Sequence, residues 1–272
     1  MIDPVVDLSW LQKHRPEVVL VDVRWYLDGR SGREAFETGH IPGAVFVDLD
    51  RHLAGPASPV AGRHPLPDPA VFADGMSQLG ITNAQMVIAY DDAGGVIAAR
   101  LVWLLRAIGQ DAALLDGGLQ IYSQPLESGS NTPTPANFEP QPWPLERIAD
   151  IEEASNRANI VIDARDRVRY EGAQESIDPR PGHIPGARSL PCRENLKADG
   201  TFLPVEEIRQ RFIMAGIKDG NEVISSCGSG VTACHNLLAI EFAGLGKGRL
   251  YPGSWSQYSQ DPTRSIATGP LP

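Results

Sequence analysis

Cys227 begins a short run of small and hydroxyl-bearing residues, Cys-Gly-Ser-Gly-Val-Thr-Ala, directly after the apolar stretch Glu-Val-Ile-Ser-Ser. The thiolate is the reactive form of cysteine, and it is stabilised by backbone N–H groups that converge on one point and by the N-terminus of a helix. Gly228 and Gly230 let the backbone curl around a sulfur atom because they lack a Cβ. Ser229 and Thr232 add hydroxyl donors. The pattern predicts a nucleophilic cysteine in an anion-binding loop.

The alternative for Cys227 is a buried structural cysteine near a turn, which is a common environment of free cysteines. A packing role does not require glycines and hydroxyl groups around the sulfur, so the loop favours a reactive cysteine. The helical pattern after the loop places Val231, Cys234, Leu238 and Phe242 on one apolar face, and packing alone explains Cys234.

Composition limits the classes of function. The 272 residues include 24 Lys and Arg against 34 Asp and Glu, a net charge of -10, which argues against a nucleic-acid partner but not against a small anionic substrate. Three cysteines are too few for a disulfide framework, and no zinc-binding spacing is present, so we predict no metal and a reducing compartment.

We expect no targeting or membrane segment in this sequence. Its first residues include acids and lack a basic start that leads into an apolar core, so they do not resemble a signal peptide. The most apolar stretch, residues 96–105, is short and contains Arg100. We therefore expect a cytoplasmic protein without a membrane partner.

The two halves of the sequence repeat one another. Each contains an apolar strand pattern that ends in Asp-x-Arg, then Gly-His-Ile-Pro-Gly-Ala, then a strand, a small-residue loop and a long apolar helix. The corresponding ranges are 17–25 and 158–166, 39–44 and 182–187, and 85–109 and 221–244. The short apolar runs are rich in β-branched residues and do not alternate, which is typical of strands buried on both faces of a parallel sheet.

These features predict an α/β protein, a tandem duplication in which each copy is a mainly parallel sheet flanked by helices. Residues 125–147 are rich in Pro, Ser, Asn and Thr and are predicted to be a linker between domains 1–124 and 148–272. Aligning Val87 with Val223 places Asp91 opposite Cys227, so only the second copy has a nucleophile.

The motifs resemble those of two-domain rhodanese-family sulfurtransferases along nearly the whole chain. The resemblance rests on Val-Asp-Val-Arg and Ile-Asp-Ala-Arg, the two Gly-His-Ile-Pro-Gly-Ala stretches, and Cys-Gly-Ser-Gly-Val-Thr-Ala. It implies two rhodanese-like domains and a Cys227 that takes a sulfur atom as a persulfide and passes it to a thiophilic acceptor. The loop matches the branch that uses 3-mercaptopyruvate, whereas the thiosulfate branch places basic residues after the cysteine.

The resemblance also implies substrate-binding residues. The persulfide would be held by the loop amides, and the substrate carboxylate by arginines, which bind carboxylates in a bidentate manner. The family's first and second substrate arginines correspond to Arg169 and Arg180. The loop residues given this role are Gly228, Gly230, Val231 and Thr232.

A relay from the first domain is a further implication of the resemblance. His40, in the first Gly-His-Ile-Pro-Gly-Ala, would activate Ser229, and Asp28 would be the acid behind it. Both halves contain the Gly-His-Ile-Pro-Gly-Ala motif although only one half has a nucleophile, so His183 is predicted to be structural, fixing a turn before a strand. For His40 a structural and a catalytic role both remain open.

Three alternatives remain beside 3-mercaptopyruvate sulfurtransfer. Thiosulfate could be the donor. A cysteine phosphatase would need Cys-x5-Arg to clamp phosphate, and the chain has Ala233 at that position. A non-catalytic sulfur carrier would not need Ser229 and the arginines. We predict a small-molecule sulfur donor, a thiol acceptor such as thioredoxin (or cyanide in an assay), and no cofactor, since the sulfur travels on the cysteine.

Overall fold

The computed structural model describes all residues, 1–272, and they form two compact units. The first unit comprises Met1–Gly55, Pro67–Trp143 and Leu196–Phe202, and the second comprises Pro56–Leu66, Pro144–Asn195 and Leu203–Pro272. Residues 56–66 therefore belong to the second unit although they come from the first half of the sequence. The sequence, which predicts contiguous domains, does not indicate this exchange.

The first unit is built on a five-stranded parallel sheet in the order β1-β5-β4-β2-β3. Helices lie between its strands, as parallel connections require. In chain order the elements are β1 (Val5–Val6), α1 (Leu8–His14), β2 (Val18–Asp22), α2 (Gly32–Thr38), β3 (Val45–Phe46), α3 (Pro69–Gln78), β4 (Met86–Tyr90), α4 (Ala99–Ala107) and β5 (Ala112–Leu115).

The second unit has a four-stranded parallel sheet in the order β7-β6-β8-β9. Its central pair, β6 and β8, is in register from Ile160 with Val223 to Asp163 with Ser226. The elements are α5 (Ile151–Ser155), β6 (Ile160–Asp163), α6 (Arg167–Tyr170), β7 (Arg188–Ser189), α7 (Val205–Met214), β8 (Val223–Ser226), α8 (Ala233–Phe242), β9 (Arg249–Leu250) and α9 (Ser254–Tyr258).

The central strands and helices form the cores of the two units. Strand β8 is buried along its whole length, and helix α8 is buried at every residue from Ala233 to Ile240. The sequence analysis predicted that one face of this helix is buried. The structure buries all of its faces from Ala233 to Ile240, so that prediction covered too little of the helix. No helix of the structure is long and apolar enough to cross a membrane.

A buried ion pair recurs at the same place in both units. Arg24 Nε donates to the two carboxylate oxygens of Asp22 at 3.1 and 3.0 Å, and its Nη2 donates to the carbonyl of Gly39 at 2.8 Å. In the second unit, Arg165 donates to Asp163 and, at 2.7 Å, to the carbonyl of Gly182. The Asp-x-Arg motif therefore links the end of β2 in the first unit, and of β6 in the second, to the Gly-His-Ile-Pro-Gly-Ala segment of the same unit.

We predict that Asp22→Asn lowers the free energy of unfolding by about 3 kcal/mol, because it leaves the buried Arg24 guanidinium without its counter-charge. The control is Asp28→Asn, since the Asp28 carboxylate is exposed and its pair with Arg30 is screened by solvent. Urea denaturation of both variants measures the difference. Equal losses in the two variants would contradict a structural role for the buried pair.

Candidate active site

Cys227 lies at the carboxyl end of β8, in a loop that leads into α8. Its side chain is buried, and the backbone N–H of Gly230 donates to Sγ at 3.1 Å. The start of α9 fixes the loop from the other side, because Trp255 N–H donates to the Cys227 carbonyl at 3.0 Å and Ser256 N–H to the Gly228 carbonyl at 2.8 Å. The sulfur therefore sits in a turn whose amides and shape are held by two elements.

Gly230 can have no side chain in this loop. Its φ is +78°, a region that side-chain-bearing residues rarely adopt, and a Cβ would lie 2.5 Å from the carbonyl oxygen of Pro252. The N–H that faces Cys227 Sγ depends on this conformation. The predicted curling of the backbone around the sulfur is therefore a real feature of the loop.

The corresponding loop of the first unit holds a carboxylate. Asp91 follows β4 as Cys227 follows β8, and its carboxylate accepts four backbone N–H groups at 2.7 to 2.9 Å. The donors are those of Ala93, Gly95, Ile97 and Ala98. A loop of this type after a parallel strand therefore binds a negative charge through its amides, which is the property that a thiolate or persulfide at Cys227 requires.

Ser229 is paired with a histidine that the sequence analysis did not select. The Nδ1 atom of His64 lies 2.8 Å from Ser229 Oγ, and both side chains are buried. His64 belongs to residues 56–66, and two hydrogen bonds hold this segment against α9. The backbone N–H of Arg63 donates to Ser256 Oγ at 3.0 Å, and Gln257 Nε2 donates to the carbonyl of Val60. The histidine that faces the loop serine is therefore His64.

The placement of His40 as the partner of Ser229 is wrong. Its Nδ1 contacts the carbonyl of Phe36 at 2.8 Å, its Nε2 lies 3.1 Å from Asn131 Nδ2, and its ring stacks on Phe36 at 3.8 Å. Both nitrogens are thus used locally, in a fully buried side chain. Asp28 is no relay acid either, because it is exposed and pairs with Arg30.

His183 has the structural role predicted for it, and the role matches that of His40. Its Nδ1 contacts the carbonyl of Tyr170 at 2.8 Å, and its ring stacks on Tyr170 at 3.6 Å. Its backbone also pairs with Ala267. The histidine of Gly-His-Ile-Pro-Gly-Ala therefore anchors its own unit in both copies, through an aromatic stack and a hydrogen bond to a main-chain carbonyl.

Arg169 lies beside the cysteine loop. Its Nη2 donates to Glu175 at 2.9 Å and to Asp178 at 3.0 Å, while its Nε is buried without a hydrogen-bond partner. A Cβ on Gly228 would lie 3.4 Å from its Nη1, which places this edge of the guanidinium against the loop. This position fits a substrate-binding arginine, and that role remains a prediction.

Arg180 has a different position from the one predicted. Its guanidinium donates to four backbone carbonyls at 2.5 to 3.2 Å, all in residues 258–264. The acceptors belong to Tyr258, Ser259, Asp261 and Arg264. With its donors engaged by main chain, Arg180 fastens the segment after α9 and leaves no fork free for a substrate carboxylate. Its assignment as a substrate arginine is wrong.

Arg165 adds a second buried cation near Cys227. Burial acts to lower its pKa, but the charges of Asp163 and Glu175 and the bonds to Asp163 outweigh burial and raise it, with a contribution from Cys227. Its side chain lies over the ring of Trp255 at 4.9 Å. The positive charge that the Cys227 loop lacks in its own sequence is therefore supplied from outside the loop.

Val231 and Thr232 complete the loop before α8. Val231 is buried, and its carbonyl accepts from Cys234 N–H at 3.1 Å, while the carbonyl of Thr232 accepts from His235 N–H at 3.2 Å. They lead into α8, whose N-cap residue is Thr232. Their predicted substrate contacts remain a prediction.

The other two cysteines are buried, and the structure contains no disulfide. Burial raises the pKa of the Cys192 thiol to about 12, so this thiol is protonated at neutral pH. Cys234 Sγ donates to the carbonyl of Gly230 at 3.4 Å. Neither residue has the environment of a nucleophile, in contrast to Cys227.

The residues that sequence reasoning missed, Arg63 and His64, occur in Gly-Arg-His-Pro-Leu-Pro. A signal for them was present in the sequence: an arginine, which can bind an anion, and a histidine, which can transfer a proton, stand next to each other in a loop rich in Gly and Pro and without apolar periodicity. Sequence position gave no indication of their partner, because Ser229 is 165 residues from His64.

Two segments of the chain match one known domain family. Residues 7–124 and 148–261 each match the rhodanese-like domain. The chain therefore belongs to the rhodanese family, in the form that carries the domain twice.

Named relatives cover nearly the whole chain. The chain is 41% identical over 269 residues to a probable 3-mercaptopyruvate sulfurtransferase of Pseudomonas aeruginosa, covering 93% of each protein. It is 35% identical over 260 residues to a putative thiosulfate sulfurtransferase of Mycobacterium tuberculosis, covering 93% of this chain and 91% of the relative. The solved 3-mercaptopyruvate sulfurtransferase from Leishmania major is similar with a TM-score of 0.83 at 33% identity, over 94% of this chain and 74% of that chain. The predicted family, fold class and enzyme class, a sulfurtransferase, are confirmed.

Glu175, which holds Arg169, makes stability depend on pH. Burial acts to raise the pKa of Glu175, but the N–H groups of Ile177 and Asp178 and the charge of Arg169 outweigh it and lower the pKa. A carboxyl with a lowered pKa in the folded state contributes stability above its unfolded pKa of about 4.3, and this contribution is lost as the pH falls through the folded value.

We predict that Glu175→Gln lowers the free energy of unfolding by about 2 kcal/mol at pH 7, and that its difference from the unsubstituted chain shrinks as the pH falls below about 4. Denaturant titrations at several pH values measure this difference. Glu207→Gln, at an exposed position on α7, is the matched control and should leave the pH profile unchanged. A difference for Glu175→Gln that stays constant down to acid pH would refute the linkage.

Proposed function

We propose that the chain takes sulfur from 3-mercaptopyruvate, holds it as a persulfide on Cys227, releases pyruvate and passes the sulfur to a thiol acceptor. The observation that carries the proposal is the hydrogen bond between Ser229, in the Cys227 loop, and His64, in residues 56–66. A hydroxyl held by a histidine two residues after the cysteine suits a donor with a ketone next to its sulfur-bearing carbon. The names of the relatives from Pseudomonas aeruginosa and Leishmania major support the same donor.

The first half-reaction moves one sulfur atom. The Cys227 thiolate attacks the thiol sulfur of the donor, and the carbon–sulfur bond breaks with its electron pair going to carbon, which gives the enolate of pyruvate. The proton released by the new persulfide is the proton that the enolate takes up. Ser229 Oγ donates a hydrogen bond to the ketone oxygen as negative charge develops there, and His64 orients the hydroxyl. The carboxylate of the donor binds Arg169.

The second half-reaction restores the enzyme. A thiolate of the acceptor attacks the outer sulfur of the persulfide, and the Cys227 thiolate leaves. The amide of Gly230, which contacts Sγ, supports the charged sulfur in both directions. Reduced thioredoxin has the chemistry of such an acceptor, and cyanide replaces it in an assay. Because both partners need free thiols, we place the reaction in the cytoplasm, consistent with three free cysteines.

We predict that incubation with 3-mercaptopyruvate adds the mass of one sulfur atom to the protein, and that Cys227→Ser abolishes this gain because the nucleophile is absent. Intact-mass spectrometry measures the change. Cys192→Ala is the matched control and should gain the sulfur as the unsubstituted chain does, since the Cys192 thiol is buried and protonated. A Cys227→Ser variant that still gains the sulfur would refute the mechanism.

Comparing the rates with the two donors tests the proposed role of the Ser229 hydroxyl. We expect Ser229→Ala to lower kcat for pyruvate release about 100-fold, the usual effect of removing one donor to a developing oxyanion. Sulfur transfer from thiosulfate to cyanide, which involves no ketone, should change far less in the same variant. Steady-state rates with the two donors measure both effects, and Ser130→Ala, at an exposed position, is the control.

Thiosulfate as the physiological donor is the second candidate, since the Mycobacterium tuberculosis relative carries that name. A larger kcat/KM for thiosulfate than for 3-mercaptopyruvate in the unsubstituted chain would replace the proposed donor.

A further inference from the structure

Ser254, the first residue of α9, has a strained backbone. It is the one non-glycine residue of the chain with a positive φ, which is +50°. This left-handed region costs energy for residues that carry a side chain, whereas glycine adopts it readily. The Ser254 side chain is fully buried. Strained residues persist only where their surroundings impose the strain, and they cluster at functional sites, so this serine calls for a physical reason.

The hydroxyl of Ser254 makes two hydrogen bonds to main-chain groups. Its Oγ accepts from the backbone N–H of Cys227 at 3.1 Å and donates to the carbonyl of Tyr251 at 2.9 Å. The donated bond uses the single hydroxyl proton, which leaves the lone pairs for the cysteine N–H. The N–H of the next residue, Trp255, donates to the Cys227 carbonyl at 3.0 Å. Two adjacent residues thus hold both polar groups of the Cys227 main chain.

The first unit contains the same turn without the hydroxyl. Gly118 corresponds to Ser254 in the repeat, and its φ is +55°. The N–H of the next residue, Leu119, donates to the carbonyl of Asp91 at 2.9 Å. A Cβ on Gly118 would lie 2.3 Å from that carbonyl oxygen, so this turn has no room for a side chain. The main-chain bond therefore forms with glycine in the turn, and the hydroxyl occurs only in the copy that contains the cysteine.

The bond to the Cys227 N–H bears on the position of the sulfur. Sγ accepts the N–H of Gly230 at 3.1 Å, and this contact requires a fixed direction of the side chain from the Cys227 main chain. We propose that Ser254 is a positioning residue for the nucleophile: its hydroxyl holds the Cys227 N–H and thereby keeps Sγ against the N–H of Gly230. The role of Cys227 as the nucleophile rests on the proposed function.

This assignment explains why a serine occupies a position that favours glycine. A glycine would relieve the strain and keep the bond between the Trp255 N–H and the Cys227 carbonyl, but it would leave the Cys227 N–H without its acceptor. A hydroxyl with a purely structural role would affect the stability of the fold. A positioning hydroxyl affects the reactivity of the sulfur in a chain that remains folded.

The experiment removes the hydroxyl with and without the strain. Ser254→Gly removes both, and Ser254→Ala removes the oxygen but keeps the Cβ. We expect both variants to lower kcat for pyruvate release about 5- to 10-fold, the size of one net hydrogen bond, and to leave KM for 3-mercaptopyruvate unchanged, because Ser254 bonds only main-chain groups. In urea denaturation Ser254→Gly should be the more stable variant, since it alone is free of the left-handed strain.

Alkylation of Cys227 by iodoacetamide reports on the sulfur without any sulfur transfer. We expect its rate constant at neutral pH to fall about 5-fold in Ser254→Gly, because the thiolate is no longer held against the N–H of Gly230. Peptide mass spectrometry assigns the label to Cys227. If the unsubstituted chain releases no pyruvate, the proposed function fails, and the alkylation rates still decide whether Ser254 positions the sulfur.

Ser155→Ala is the matched control. The Ser155 hydroxyl also accepts one N–H, from Arg264, and donates to one carbonyl, that of Ile151, in the same unit. Its loss should leave kcat and the alkylation rate unchanged. A Ser254→Gly variant with the kcat and the alkylation rate of the unsubstituted chain, or an equal fall in Ser155→Ala, would overturn the proposal. Should Ser254→Ala fail to fold, Ser254→Gly decides alone, since glycine is the residue that the first unit has in this turn.

Discussion

Backbone amides at the carboxyl end of a parallel strand impose the main constraint on this molecule. The loop after β4 turns four N–H groups towards one point, and the loop after β8 turns the N–H of Gly230 towards Cys227 Sγ, so each loop needs an acceptor there. In the first unit Asp91 supplies it with two carboxylate oxygens and four bonds, so the loop is permanently satisfied. In the second unit the sulfur of Cys227 takes that place. One local geometry therefore receives a carboxylate in one copy and a thiol in the other.

The arginines around Cys227 are positioned by buried carboxylates. Arg165 is held by Asp163, and Arg63 and Arg169 share Asp178. Buried guanidiniums need such partners because an uncompensated charge in the interior is costly. The pairs also explain how a chain with a net charge of -10 binds a small anion. Local donors on fixed guanidiniums outweigh a distant field that solvent and salt screen.

Short-range patterns in the sequence predicted the fold and the position of Cys227 in a loop between a strand and a helix, because they reflect local requirements. The strand–loop–helix around Cys227 is encoded by adjacent residues, and the duplication is visible as repeated motifs. The wrong assignments, His40 and Arg180, concern contacts between segments far apart in the chain. His40 occurs in a motif that both copies retain for packing, and Arg180 is taken by carbonyls after α9. No local pattern distinguishes a histidine that stacks on Phe36 from one that reaches Ser229.

Charge balance at the site bears on the choice of donor. The cluster beside Cys227 contains three guanidiniums, those of Arg63, Arg165 and Arg169, and three carboxylates hold them. It therefore offers directed N–H donors without a surplus of positive charge. A dianion such as thiosulfate gains most from surplus charge, which a lysine in the loop would supply, and the position next but one after Cys227 is instead the neutral Ser229. A monoanion with a carboxylate and a ketone is instead bound by directed hydrogen bonds, from guanidinium N–H groups to the carboxylate and from a hydroxyl to the ketone. The cluster of guanidiniums together with Ser229 matches this arrangement of donors.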